Sequence, residues 1–374
     1  MRLKISPPDR NAAAMVLMQI YAETERKIIQ EIIRKREQGY VDYAELAALR
    51  RIRQYLQEMV DGSAEYVPLA IEYEFYKGPA ARAGYANALG TVSMERDRVM
   101  EQLVDNLLGE VQEMAQTAYQ SAEAQLFLIG RTSPDVFREA GLTGAISAQA
   151  EGKGALRTVG EVMRSVDEAG ITAFVDKSGR QWGLRSYGNM AVRTTMRQAQ
   201  TSAVLTSDEH DLYKILQHYA PCRLCASYSG RVYSKSGTNP HYPPLAAAFG
   251  KIDPAGPDDL SNTFLNIHPN CLCTLVKWTE ASKTQTEIEK AREQSSFEKN
   301  PPSIDPRSKK QIAAYQEKER ARARLREDYK QYDRYAKTIP GMPSRETFLK
   351  HKRLDDDKYK AWEAAYRAAR RKTS

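Results

Sequence analysis

No run of apolar residues in this chain approaches the roughly 18 that a membrane-spanning helix requires, and charged residues interrupt every apolar stretch. The start lacks the apolar core of a secretory signal, because Met1 to Ser6 leads straight into Pro7, Pro8 and Asp9. A chain without membrane association, made in the cytoplasm, is therefore expected. Cysteine is scarce: there are four in 374 residues, too few for a disulfide-built scaffold of this length. Two catalytic signatures are also missing. There is no phosphate-cradling glycine loop followed by Lys and Ser/Thr, and no G-x-S-x-G elbow, which removes the P-loop and α/β-hydrolase classes.

What is present suffices for folding. With 41% apolar and 9% aromatic side chains, a chain of this length buries a sizeable core and forms more than one folding unit. The formal charge of +8 is unevenly spread. From Arg307 to Ser374 there are 21 Lys/Arg against 10 Asp/Glu, a local net of +11, so the residues before Arg307 carry −3. A basic segment of this kind suits a polyanion, DNA or an acidic protein face, because neutralising phosphates releases counterions. A solvated helix surface accounts for the charge equally well.

The first part is helical by pattern. Ser6, Pro7 and Asp9 have the character of a helix start. Met15, Met18, Tyr21, Ala22, Ile28, Ile29, Ile32 and Ile33 then recur mostly at three- and four-residue steps, which predicts an amphipathic helix ending near Gly39. Asp42 with Glu45 resembles a capping box opening a second helix through Leu46, Leu49, Ile52, Leu56 and Val60, with Gly62 as its stop. A longer third helix carries Val99, Leu103, Leu107, Val111, Met114 and Ala118 on one stripe. Such stripes pack against neighbouring helices.

The stretch Gly141 to Gly154, rich in Gly, Ala, Ser and Thr, reads as a flexible connection. Near Ile171 the period changes: Ile171 to Val175 and Gln181 to Leu184 flank a Gly-containing turn, a β-hairpin pattern. A helix from about Ser186 to Thr206 follows. Beyond it, Lys214 to Tyr219, Gly230 to Tyr233 and Thr274 to Trp278 have strand length and character. The loop between the last two holds Pro240, Pro243, Pro244, Pro254 and Pro257, too many for regular structure. Past Lys283 the helical period returns on a highly charged surface. Ile312, Tyr315, Leu325, Tyr329 and Tyr332 form only a thin apolar stripe, so this helix is expected either in solvent or against a partner. Pro340-Gly-Met-Pro343 breaks it, Ser344 restarts a short helix containing Phe348, and Tyr359, Trp362 and Tyr366 supply anchors near the end. The fold class is α+β and mostly helical. A helical domain is expected over 1–140, a linker or helix over 141–168, a cysteine-containing α+β module over 169–280 and a basic helical tail over 281–374.

All four cysteines fall in the α+β module. Cys222-Arg-Leu-Cys225 can clasp one metal from a tight turn, and His268-Pro-Asn-Cys271-Leu-Cys273 follows it in sequence. On extended chain Cys271 and Cys273 point the same way. Four of the five groups Cys222, Cys225, His268, Cys271 and Cys273 could complete a tetrahedral zinc shell, and such an ion would be structural, since neither an open ligand position nor a general base is evident. Two other readings stay open: buried thiols acting as small hydrophobes, or disulfides formed outside a reducing compartment. For catalysis the candidates are thin. His268 and Asn270 lack the grouped acids of a metal-dependent nuclease. Glu287-Ile-Glu289, the other candidate, as an ADP-ribosyltransferase acid pair, lies in a charged helical stretch and reads as a solvated face. No enzymatic activity is expected.

Ile171-Thr-Ala-Phe-Val-Asp-Lys-Ser-Gly-Arg-Gln-Trp182, with Ser186-Tyr187 and Val192-Arg-Thr-Thr195, resembles the phage minor capsid protein 2 family. Cys222-x2-Cys225-x4-Gly230 and His268-Pro-Asn-Cys271-Leu-Cys273 are similar to the motif of phage Mu F-type head morphogenesis proteins, apart from Leu272, where an arginine often stands. The resemblance covers most of the chain, and its specific part runs from about Gly170 to Trp278. It implies a minor component of the procapsid and virion, assembled in the host cytoplasm. The place it implies is the inner side of the shell at or near the portal, with a role in head assembly and DNA packaging or ejection. Expected partners are the portal protein or the major capsid protein, and packaged double-stranded DNA along the basic tail.

Overall fold

The computed structural model describes residues 12–38, 42–77, 94–142, 172–175, 179, 181–206, 209–339 and 341–372. The expected cap at Ser6 and the connection from 143 to 154 lie outside them, as do the side chain of Asp42 and most of the hairpin turn. Three long helices come first: α1 (Ala13–Gln38), α2 (Asp42–Lys77) and α3 (Met94–Leu142). A hairpin of β1 (Thr172–Val175) and β2 (Gln181–Gly183) leads directly into α4 (Leu184–Leu205). The architecture is mostly helical α+β, as the periodicity predicts. No helix among the described residues is long and apolar enough to cross a membrane.

Tertiary contacts group the chain into two units. One contains Leu56–Thr117 and Leu184–Tyr315 with the first turns of α1. In it the α3 stripe is buried as expected at Leu103, Leu107, Val111 and Met114. Gly188 of α4 lies flat against the ring of Tyr21: a Cβ there would stand 2.4 Å from Tyr21 Cδ2. The other unit contains Glu25–Tyr55, Ala118–Gly183 and Gln316–Ser374. In it Ile28, Ile52, Ala118 and Leu126 are buried, and Arg51 and Tyr55 of α2 both donate to the carboxylate of Glu31.

Gly62 does not end α2, contrary to the pattern reading. The helix continues for fifteen further residues, through Pro68, to Lys77. A glycine inside a helix costs about 1 kcal/mol relative to alanine, but here its bare Cα admits the side chain of Ile20, whose Cδ1 would lie 3.2 Å from an added Cβ. Tertiary packing outweighs local propensity at this point.

The cysteine module is built on a three-stranded antiparallel sheet, order β4-β3-β5, of β3 (Leu212–Leu216), β4 (Val232–Ser234) and β5 (Thr274–Lys277). Tyr213 pairs with Tyr233, and Ile215 pairs with Leu275. Tyr213 and Ile215 point into the core, while Lys214 faces the other way, over the ring of Trp278. The strand expected at Lys214 to Tyr219 thus starts and ends earlier. Asp211 fixes the start, because its carboxylate accepts from Ser234 Oγ and from the backbone N–H of Ser236, tying β3 to β4.

After the sheet come α6 (Gln285–Ser295), α7 (Lys309–Thr338), α8 (Arg345–Leu354) and α9 (Asp357–Lys372). The thin-stripe reading of the tail holds for Arg320 to Glu327, all exposed. It fails beyond them. Phe348 is fully buried, and the rings of Tyr332, Tyr335, Tyr359 and Trp362 all lie within 6 Å of it, so α8, α9 and the end of α7 enclose an aromatic core of their own. Ser344 caps α8 by accepting from Thr347 N, as the break at Pro340-Gly-Met-Pro343 suggests.

Candidate metal centre

Two chain segments bring the cysteines together. Cys222 is the N-cap of the short helix α5 (Arg223–Tyr228), and its sulfur accepts the N–H of Cys225 at 3.3 Å. A capping side chain normally offers oxygen; sulfur in that place is held as a thiolate ligand would be. The second segment arrives just before β5. Cys271 and Cys273 are both buried while Leu272 between them is 43% exposed, so the two thiols share the inner face. The N–H of Cys273 points at the sulfur of Cys271, 3.4 Å away.

The proline-rich loop that carries this second segment is irregular but firmly tied. The Asn262 side chain bonds the carbonyls of Asp253 and Pro257 and accepts from Asp253 N. Helix α4 pins the far end: Gln198 bonds Phe264 O, Asn266 bonds Thr194 O, and Asn270 N–H donates to Thr194 Oγ1. Asn270 has φ +60°, a left-handed conformation that Asn tolerates better than most residues. That turn swings His268 back toward α5.

The result is a tight set of soft donors. His268 Nε2 lies 3.2 Å from Cys222 Sγ and 3.0 Å from Cys225 Sγ, and Cys225 Sγ lies 3.6 Å from Cys271 Sγ. His268 Nδ1 is within 2.6 Å of the carbonyl of Pro269, which fixes the ring and leaves Nε2 facing the sulfurs. All four cysteines are free thiols. A disulfide needs about 2.05 Å between sulfurs, whereas two thiolates on one tetrahedral zinc, each at about 2.3 Å, stand about 3.8 Å apart. The separation matches the second case.

All five residues singled out in the sequence converge here, and a sixth joins them. His218, two residues past β3, has a ring nitrogen that falls within 4.8 Å of the sulfurs of Cys225 and Cys273. His218 falls inside the strand expected over Lys214 to Tyr219, where the strand pattern does not mark it as a ligand. The available signal was its spacing, His218-x3-Cys222-x2-Cys225, in a chain with five histidines.

Burial and mutual contact split the thiol acidities. Hydrogen bonding from Cys225 pulls Cys222 down to about 4 and Cys271 down to about 2. The Cys225 thiol is pushed far up by its contacts with Cys222, Cys271 and Cys273, so without a metal it keeps its proton and serves as donor to the others. His268 is raised to about 9, chiefly by its hydrogen bond with Cys222. Two guanidiniums feel the sulfurs: Arg197, where burial opposes the attraction of Cys271, and Arg307, anchored mainly by Asp305.

The surroundings of the three buried thiols are apolar. Val204, Tyr213, Ile215, Tyr233, Leu245, Ile267 and Leu275 form one cluster with Cys225, Cys271 and Cys273. The hollow beside Cys271 and Cys273 measures about 10 Å³, room for one water at most. Cys222 and His268 are partly exposed on the other side of the cluster, and a metal in this setting would hold chain segments together. Glu287, weighed above as a catalytic acid, instead closes a capping box with Thr284 at the start of α6.

Neither the curated proteins nor the solved structures contain a match to the chain. The family model for phage minor capsid protein 2 matches residues 7–257, a span that includes Cys222 and Cys225 and stops before His268. That family points to a structural, non-enzymatic component of the phage particle. With about two thirds of its length matched, the chain belongs to the phage minor capsid protein 2 family.

Proposed function

We propose that this phage structural protein acts on the inner side of the head shell at or near the portal. There its helices hold the portal or major capsid protein, and the cysteine module is a rigid element locked by structural zinc. The observation that carries the zinc reading is the convergence of Cys222, Cys225 and His268, whose ligand atoms all lie within 4.8 Å of one another, with the Cys271 sulfur 3.6 Å from that of Cys225 in the adjoining apolar cluster. Zinc supplies a cross-link between α5 and the segment entering β5, which no disulfide makes. The module lies between helical segments, so a stiff joint there would keep them in register during head assembly.

The basic tail suggests contact with packaged double-stranded DNA. Arg320, Arg322, Arg324 and Arg326 follow one another along α7 in a stretch where every residue from 320 to 327 is exposed, and Arg322 also pairs with Glu319 at 2.9 Å, so this stretch presents guanidiniums that can meet phosphate.

The test is assembly. A tagged full-length chain is co-expressed with the portal and major capsid proteins and procapsids are isolated. The chain is expected inside particles, protected from protease until the shell is opened, and retained with portal on disruption. Particles that form normally and never contain the chain, together with no portal retention, would overturn it.

A further inference from the structure

Resting on the zinc reading above, we propose that the cluster holds two divalent, sulfur-seeking ions, with the Cys225 thiolate shared between them. The donor count motivates this. A tetrahedral zinc takes four protein ligands, whereas six side chains meet here: Cys222, Cys225, Cys271, Cys273, His218 and His268.

Their arrangement divides them. Two groups of three have every ligand atom within 4.8 Å of the others: Cys222, Cys225 and His268 in one, and His218, Cys225 and Cys273 in the other. Each contains one histidine, and Cys225 alone belongs to both. Ligand atoms on one zinc lie within about 4 Å of each other, given bonds of about 2.0–2.3 Å. Among the described residues no such compact group contains both histidines, so one ion does not collect both. Cys271, 3.6 Å from Cys225, stands beside the shared sulfur as a further donor, so six side chains with one shared sulfur fill seven of the eight positions of two tetrahedral ions and leave one to solvent.

The backbone supports a bridging role for Cys225. It sits on α5, 1% exposed, with the capping segment on one side and the segment entering β5 on the other. The second half-shell also has its own fixing contact, since the backbone N–H of His218 is hydrogen-bonded to the Cys273 sulfur. A metal held there would tie the end of β3 to the start of β5, strands already paired through Leu216 and Thr274. The first ion ties α5 to the His268 turn. Two ions sharing one sulfur thus join four points of the module, where one ion would join two.

The experiment is zinc titration of the reduced, metal-free full-length chain by native mass spectrometry, with cadmium-113 NMR of the chain loaded with Cd²⁺. The expected result is two ions per chain and two cadmium resonances, each shifted toward sulfur-rich coordination. His218→Ala is expected to hold one ion with the Cys222 side intact, and Cys225→Ser to weaken both steps at least tenfold. One ion per chain, one resonance and an unaltered His218→Ala variant would overturn the two-ion inference and leave a single structural zinc standing. No retained ion would overturn both. The two readouts on the natural chain decide the matter even where a variant fails to fold.

Discussion

Cys225 Sγ lies 3.0 Å from His268 Nε2 although 43 residues of chain separate them. This contact joins a helix start to a proline-rich loop that has little regular structure of its own. Removing metal should therefore loosen that loop first. Structural zinc sites contribute about 10–16 kcal/mol in small peptides, and a module with its own sheet should lose less. Chelation is expected to lower the melting temperature of the reduced protein and to open the segment between Ser234 and Cys273 to protease, with zinc restoring both. Unchanged melting and cleavage after chelation would separate the fold from any metal.

A second prediction concerns Gly188 and Tyr21. An alanine at 188 places its Cβ within 3 Å of three atoms of a fully buried tyrosine ring. Overpacking of this kind costs about 1–3 kcal/mol. Gly188→Ala is expected to lower stability in urea unfolding by about that amount, and the paired change Tyr21→Leu to recover part of it. If Gly188→Ala unfolds at the same urea concentration as the natural protein, α4 does not lie against Tyr21 as described.

Acid sensitivity is expected at Asp211. Burial raises its carboxyl, but hydrogen bonds from Ser236 and Ser234 outweigh that and hold it below the usual range. A group depressed in the folded state adds stability above its unfolded pKa of about 3.9, and that contribution fades as pH falls through the lower folded value. Asp211→Asn should cost about 1 kcal/mol at pH 7, and the difference from the natural protein should begin to narrow below pH of about 4 and go on narrowing as the pH falls further. Denaturant melts across pH 3–7 read this directly. A gap that persists undiminished in acid would point to shape, not charge, as the role of Asp211.

The C-terminal aromatic core should behave as a separate entity. Phe348 is fully buried among Tyr332, Tyr335, Tyr359 and Trp362. Truncating such a ring costs about 3–5 kcal/mol, enough to undo a three-helix cluster of this size. Phe348→Ala is expected to lose the near-ultraviolet signal of Trp362 and expose α9 to protease, while zinc content stays unchanged. Loss of zinc in the same variant would contradict that independence.

If α7 meets DNA, changing Arg320, Arg322, Arg324 and Arg326 together to Gln should reduce the slope of log K against log salt by up to about 3–4, since each phosphate contact contributes about 0.9. Anisotropy titrations with duplex DNA at several salt concentrations measure it. An unaltered slope would leave the exposed arginines to a protein surface.

Much of this organisation was legible in the residues. The stripe on α3, the β1–β2 hairpin, the α8 restart at Ser344 and the approach of the five Cys and His side chains to one another follow from periodicity, turn chemistry and spacing, whereas on α1 the expected Met15 is 63% exposed and Leu17 is buried in its stead. What escaped was set by tertiary packing. Gly62 looks like a stop because an isolated helix would fray there, yet Ile20 needs its missing Cβ. His218 looks like one residue of a strand, because the strand's early start at Leu212 depends on Asp211 reaching Ser234 and Ser236. Phe348 and its ring partners are separated by Pro340 and by the turn at Asp355, so no single helical stripe reveals the core they form. Family membership carried the biological setting, and the geometry added the sixth donor.

Whether these thiols and imidazoles are metal ligands is decided by zinc-edge X-ray absorption on the reduced, full-length protein. The expected result is stoichiometric zinc with a mixed shell of sulfur at about 2.3 Å and nitrogen at about 2.0–2.1 Å, lost in Cys225→Ser. A sample without zinc, or zinc bound only through oxygen, would contradict it.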